Sequence, residues 1–374
     1  MDEFDGYVRA DGSVGTRNLI LVVSLIDLAN DVAARTADLL PGAVALLTPG
    51  GGLSFGAEAA LIGRLRRRTA LNPNVGAVLV VGSAGKELQR WPGEVAATGR
   101  PSEAICLSDQ RDSVAAVLAG VELGQRFAAT LSGQSRRRVP LSALRIGLRS
   151  SSSSLVSARL VNTAVGTVVD TVVENGGAVA FGETADLAGV SEALAKRGAD
   201  PPTAAALRQA MADPVRLSRE LGSRAPDPTP TNSAGGIDTI EKKGQGALRR
   251  LGTGCVHAVF PYGDGMAPTG LQMMTGPGSA AVCLAGLAAA GCTLILYTVG
   301  MTSITSAAPL TPVLKVGPPL LATSRDIDVP VAEPPGDAGL RLLALALETA
   351  SGRASAAETL QGRHLMLPGY LPPL

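Results

Sequence analysis

"NVGAVLVVGSAGKELQRW" (Asn74–Trp91) holds a near-continuous Val/Leu run, a Gly/Ser turn and the opening of an amphipathic helix. A strand that is apolar on both faces suits a parallel sheet covered by helices on either side. The same unit recurs along the chain. "NLILVVSLI" (Asn18–Ile26) is a strand followed by a helical pattern, and "AVALLTPGGGLSFGAEAALIGRLRRR" (Ala43–Arg68) is strand, glycine-rich turn and helix. "EAICLSDQRDSVAAVLAGVELGQRFAATL" (Glu103–Leu131) repeats the form. The expected fold is therefore α/β, with Rossmann-like parallel sheets covered by helices.

A polar, basic stretch, "SGQSRRRVP", interrupts the series near residue 135, and a second series opens at "LRIGLRSSSSS". Two domains are expected, an N-terminal one over 1–138 and a C-terminal one over 139–374. The alternating prolines Pro226, Pro228 and Pro230 place an extended connection near 224–231. At 374 residues the chain can bury two full cores.

Formal charge is +1 and aromatic residues make up 3%, so neither a basic field nor stacking platforms for nucleic acid are present. The start, "MDEFDGYVRA", is acidic and lacks an apolar h-region, so no signal peptide is expected. No charged residue occurs between Asp264 and Lys315, which raises the question of a membrane span. Gly286, Gly291 and Gly300 punctuate that block, so it reads instead as a buried small-residue helix followed by a buried strand. The four cysteines, Cys106, Cys255, Cys283 and Cys292, have no CxxC spacing and read as reduced core thiols of a cytoplasmic protein.

In parallel sheets, ligands bind at the carboxyl ends of the strands. The loops Thr48–Gly56, Gly82–Glu87, Arg149–Ser157, Gly182–Asp186 and Thr298–Ala308 are expected there, and they are the polar, Gly/Ser-rich loops of the chain. No complete GxGxxG or GxxxxGK[ST] occurs. "LRSSSSSLVSARLVNT" (Leu148–Thr163) stands out, since five consecutive serines join a strand to a helix. Its amides and hydroxyls, with Arg149 and Arg159, could cradle an oxyanion, with Arg17 and Lys315 on the far side. Glu183 could do acid–base work or cap a helix. Lys242 and Lys243 share a helix on which one can face a pocket and the other water. Lys315 ends an apolar strand and is placed to grip a carboxylate. His257 and His364, the only histidines, read as structural, and Cys255 with His257 are too few for a metal site.

Several motifs together resemble the altronate/galactarate dehydratase family, and within it the sulfolactate sulfo-lyase large subunits. They are "DGYVRADGSVGTRNLILVV" (Asp5–Val23), "NPNVGAVLVVG" (Asn72–Gly82), "GETADLAG" (Gly182–Gly189), "NSAGGIDTIEKKGQGALRRLG" (Asn232–Gly252), "TPVLKV" (Thr311–Val316) and "ASGRASAAETL" (Ala350–Leu360). The resemblance implies a lyase that removes a proton next to a carboxylate of a small hydroxy acid and expels water or sulfite. It also implies a divalent metal, usually iron, and a small SAF domain, fused or on a separate subunit.

The departures bear on that metal. The family's His-Pro-Tyr-Gly loop reads Thr48-Pro49-Gly50-Gly51 here, and the position of a cysteine after the NPN strand is Ala84 or a neighbour. The Cys-Gly-x-Ser-Asp loop aligns with Ser150–Ser154, keeping only Ser153. Asn162 is kept, whereas the following proline is Thr163. Serine hydroxyls are poor ligands for iron.

The sequence thus leads to a divergent lyase acting on a small hydroxy-acid, sulfonated or phosphorylated anion, without a metal or other cofactor. The catalytic candidates are Glu183, Lys242 and Lys315. Substrate-binding candidates are Arg17, Asn18, Arg149, Ser150, Ser153, Ser154, Asn162 and Asn232. A separate SAF-domain subunit and a homo-oligomer are the expected partners. The alternatives are a catalytically silent paralogue that serves an active family member, and a binding protein for a small anion.

Overall fold

A computed structural model describes residues 2–49, 56–151, 153–220, 222, 228–276, 280–301, 309–332, 334–359 and 364–367. The chain opens with β1 (Glu3–Val8) and β2 (Val14–Gly15). It then alternates strand and helix through β3 (Leu19–Ser24), α1 (Asn30–Leu39), β4 (Ala43–Leu47), α2 (Gly56–Ala70), β5 (Val75–Gly82), α3 (Lys86–Ala96), β6 (Ser102–Cys106) and α4 (Ser113–Ser132). After β7 (Arg137–Pro140) come β8 (Arg145–Ser150), α5 (Asn162–Glu174) and β9 (Ala178–Phe181). Four helices follow, α6 (Ser191–Ala195), α7 (Pro201–Glu220), α8 (Pro230–Ala234) and α9 (Ile240–Arg250). The remainder is β10 (Val256–Phe260), β11 (Gly270–Met274), α10 (Ala280–Ala289), β12 (Leu294–Thr298), β13 (Val313–Gly317), β14 (Val329–Pro330), α11 (Pro335–Ala350), α12 (Ala356–Thr359) and β15 (His364–Met366).

Two parallel sheets carry the fold, as the apolar runs anticipate. One has the order β15-β4-β3-β5-β6 and the other β10-β11-β9-β8-β12-β13-β14. The chain crosses from the first to the second at β7, which pairs antiparallel with β1, and returns at β15, where His364 lies opposite Ala45. Of the expected Pro-rich connection, residues 224–227 lie outside the described residues, and Pro230 already begins α8.

The period of two along each strand divides the core. On β3, Ile20 and Val22 face α1 and α4, whereas Leu21 and Val23 join a cluster that also contains Cys283, Leu284, Ile295 and Val313. On β12, Leu294 and Leu296 face the opposite cluster with Val165, Val168 and Leu342. The central cluster therefore joins one face of each sheet, with α10 in the middle. Helix α10 is apolar all round, and Cys283–Ala289 are all buried. It packs closely: a Cβ on Gly286 would lie 2.3 Å from the Tyr262 ring. Within the uncharged block, α10 and β12 are the expected helix and strand, and β11 precedes them. Helix α4 does have the length and apolar composition to cross a membrane. Its Ala116, Val117, Gly120, Gly124, Phe127 and Leu131 are nevertheless buried in the fold.

Candidate active site at the carboxyl edge of the seven-stranded sheet

In the seven-stranded sheet, β8 connects through α5 to β9 on one side and lies beside β12 on the other. That is a topological switch point, where the loops leaving adjacent strands diverge and leave a crevice. The expected edge loops divide between the sheets. Those after β4 and β5 sit on the first sheet, those after β8, β9 and β12 on the second; of these loops, 50–55, 152 and 302–308 lie outside the described residues.

The sheet register aligns Arg149 on β8, Tyr297 on β12 and Lys315 on β13. Neighbours in a parallel register share a face, so these three side chains form a polar row near the strand ends. The row lies on the face of the central cluster, which includes Tyr297.

Glu183, just past β9, is 2% exposed and accepts from three donors. Arg149 Nη1 donates to Oε1, the Ser150 amide to the same oxygen at 3.0 Å, and Arg250 Nη2 to Oε2. Arg250 ends α9 and also reaches Thr298 Oγ1 at 3.4 Å. With its oxygens committed in this way, Glu183 orients two guanidiniums. The trio carries two positive charges against one negative, all but removed from water. Burial lowers the pKa of Arg250, and Asp186 opposes the shift. Cys283 lies close enough to feel both arginines, yet burial dominates and pushes its thiol up.

Lys315 completes the row. It is 0% exposed, and its Nζ has no hydrogen-bond partner among the described residues. Burial lowers its pKa, while Asp326 and Asp328 pull the other way. Asp328 accepts from the Lys315 amide at 2.9 Å and from the Ala356 amide at 2.7 Å, and burial raises its own pKa. Burial shifts the balance toward the free amine, the form that can accept a proton.

The serine loop differs from the expectation of an anion cradle. Its described amides already have acceptors inside the protein. Ser150 N donates to Glu183, Ser151 N to Thr298 O at 3.0 Å, Ser153 N to Asn232 Oδ1 at 3.0 Å, Ser154 N to Ser157 Oγ at 2.9 Å and Leu155 N to Gly235 O at 2.9 Å. The reason is packing. The α8 segment folds over the loop and supplies Asn232 and Gly235, and Asn162 Nδ2 ties α5 to α9 at Gly246 O, 2.9 Å. A π-helical turn, Ser157–Val161, absorbs the irregular entry into α5. Arg159 on that turn is exposed. Among its described residues, what the loop offers a ligand is therefore hydroxyls, not free amides.

Other expected residues lie elsewhere. Helix α9 turns Lys242 outward, where its side chain is 48% exposed and pairs with Asp238 at 2.6 Å. The inward lysine is Lys243, 2.7 Å from Asp186. Arg17 and Asn18 stand at the opposite, amino end of β3. Arg17 grips both carboxylate oxygens of Glu358 and the carbonyls of Thr349 and Arg353, which fastens the α11–α12 corner to the first sheet. Asn18 bonds Arg9, Gln134 and Leu131 O. His257 accepts from Leu271 N at 3.3 Å, and His364 pairs with Asp38 at 3.0 Å.

Arg250 is the candidate-site residue that sequence reasoning overlooked. Its signal was the spacing Lys243, Gly246, Ala247, Arg250, all buried on one face of α9. A charged residue in such a stripe needs a buried counter-charge, and Glu183 is that counter-charge.

The residues present do not fit the metal that the resemblance implies. Thr48, which the resemblance places at the family's histidine position, donates through its side chain to Ser24 O and accepts from Arg66 at 2.7 Å. The Ala84 side chain has no donor atom, the resemblance places Ser150 where the family has a cysteine, and the nearby carboxylate of Glu183 is held by arginines. Among the described residues, no group of three or more His, Cys, Asp or Glu side chains could hold a metal ion.

Comparison with known proteins agrees with the motifs. The family model for the C-terminal part of D-galactarate/altronate dehydratase matches residues 141–369, and that for the second domain of D-galactarate dehydratase/altronate hydrolase matches residues 6–132. The (2R)-sulfolactate sulfo-lyase subunit beta of Chromohalobacter salexigens is 31% identical over 97% of this chain and 96% of its own length. The altronate dehydratase of Bacillus subtilis is 26% identical over 79% of the chain, and the galactarate dehydratase (L-threo-forming) of Escherichia coli is 27% identical over 79%. The chain spans only 62% and 61% of those two proteins. Both parallel sheets fall within matched segments, and a match of this extent means that the chain belongs to the D-galactarate/altronate dehydratase family.

Proposed function

We propose that the protein is a lyase that eliminates a leaving group next to a carboxylate in a small hydroxy-acid anion, without the divalent metal of its family. One observation carries this reading: Lys315, a fully buried amine with no hydrogen-bond partner among the described residues, stands in the same row as Arg149 at the switch point. Lys315, in its free-amine form, takes the proton from the carbon beside the carboxylate. The electron pair of that C–H bond becomes the new C=C bond, and the C–O or C–S bond breaks with its electrons leaving on hydroxide or sulfite. Arg149 and Arg250, held by Glu183, supply positive charge for the carboxylate as its α-carbon gains electron density. The relatives are named for sulfolactate, altronate and galactarate, which supports a substrate of that class for this chain.

The relative named as a subunit beta supports reading this chain as one subunit of a complex, with a small SAF-type protein as its partner. The test is to incubate the purified chain, alone and with such a subunit, with sulfolactate and with hexonates and hexarates. Sulfite release or formation of a 2-oxo-3-deoxy acid is the expected result. A second reading, a catalytically silent partner of an active paralogue, draws on the missing donors at Thr48, Ala84 and Ser150. Co-purification with the paralogue and no turnover of any of these acids would favour it and overturn the first.

A further inference from the structure

We infer that the protein has a second anion site, at the amino ends of the strands of the five-stranded sheet, which takes a multivalent oxyanion such as a phosphate ester or a polycarboxylate. The inference is independent of the proposed activity. A cavity of about 470 Å³ opens there, bordered by Tyr7, Arg9, Arg100, Gln134 and Arg137. Its volume suits a small organic ligand.

Two arginines in this wall are buried, Arg9 at 8% and Arg100 at 3% exposed. Arg9 donates to Pro73 O at 2.7 Å, Asn18 Oδ1 at 2.8 Å, Gln134 Oε1 at 3.5 Å and Arg17 O at 3.0 Å. Arg100 donates to Val75 O at 3.1 Å, Thr98 Oγ1 at 2.9 Å and Leu71 O at 3.2 Å. A guanidinium has five N–H groups. Arg100 thus keeps N–H capacity beyond its three bonds, shielded from bulk water but beside a cavity. Its one acidic neighbour, Asp11, stands 3.9 Å away and is half exposed. The two buried cations also repel each other. Arg9 is lowered to about 10, chiefly by burial and then by Arg100. Arg137, exposed on the rim, adds a third positive charge.

Structural arginines that only cap strand-end carbonyls do not need to be paired at a cavity. An oxyanion with two or more charges would accept the remaining N–H groups and relieve the repulsion, and the guanidinium fork matches both phosphate and carboxylate. Gly133 leaves room for a plug, because a Cβ there meets nothing closer than 3.5 Å.

The test is thermal unfolding and calorimetric titration of the full chain with inorganic phosphate and with citrate, at ionic strength matched with chloride. Saturable one-site binding of at least one of the two is expected, and which one binds distinguishes a phosphate from a polycarboxylate ligand. Arg137→Ala should weaken it roughly fivefold, as for loss of one rim charge-assisted bond. Gly133→Leu should abolish it, and Lys315→Met, at the other sheet, should leave it unchanged. No saturable binding of either probe overturns the inference. So does binding that Gly133→Leu and Arg137→Ala leave unchanged, whatever Lys315→Met does.

Discussion

Arg250 and Glu183 form an ion pair in which each side chain is only 2% exposed, joining the end of α9 to the loop after β9. Removing one member of such a pair leaves an uncompensated buried charge, whereas replacing both with apolar groups can be nearly neutral. Glu183→Leu is therefore expected to destabilise the protein by about 3–5 kcal/mol, more than Arg250→Met, because it leaves both Arg149 and Arg250 without their carboxylate. The measurement is urea unfolding at pH 7. Equal stability of Glu183→Leu and wild type would show that the arginines do not depend on Glu183.

The two adjacent lysines of α9 should separate cleanly. Lys242 is half exposed in an i, i+4 pair with Asp238, and such pairs contribute about 0.3–0.5 kcal/mol. Lys242→Met is expected to change neither stability nor turnover noticeably. Lys243 is mostly buried against Asp186, so Lys243→Met should cost roughly 1–3 kcal/mol by leaving that carboxylate unpaired. Similar effects of the two substitutions would mean that the face assignment of α9 is wrong.

Metal content provides a separate test. The protein expressed in iron-replete medium is expected to hold well under one iron, zinc or manganese per chain, and a chelator should leave turnover unchanged. Elemental analysis showing about one metal per chain, lost with activity on chelation, would require a donor set other than the described side chains.

Lys315 has a defined pH signature. Its folded-state pKa lies below the usual 10.5, because burial penalises the ammonium. Between the lowered value and 10.5 the unfolded chain binds more protons, so wild-type stability gains with rising pH across that window. As pH falls through the lowered pKa, that contribution is lost. Lys315→Met has no ammonium to bury, so its stability advantage over wild type should be greatest at neutral pH and shrink toward pH 10. Unfolding curves at pH 7, 8.5 and 10 would check this, and a constant difference would contradict it.

Much of the architecture was legible in the sequence, because a strand buried on both faces has a local signature. The runs at β3, β5 and β12 read as parallel strands from their Val/Leu/Ile content alone, and glycines divided the uncharged block into α10 and β12. The serine loop and Lys315 were legible as features of a sheet edge for the same reason. What each polar group does was not, since its partner lies far away in the chain. Arg17 is fastened by Glu358, and the amides of the serine loop are met by Glu183, Asn232, Gly235 and Thr298. The choice between Lys242 and Lys243 depends on the phase of α9, which is set by Thr239 capping the Lys242 amide at 3.2 Å. Arg250 at the end of α9 meets Glu183 only through the fold, from far along the chain.

The most direct test of the account is the turnover of the best substrate from the hydroxy-acid panel by wild type and Lys315→Ala, with and without added methylamine. The account predicts a loss of about 10²–10⁴ in kcat in Lys315→Ala, with KM little changed and partial recovery by methylamine that increases with pH. Lys315→Ala turning over at the wild-type rate would contradict it.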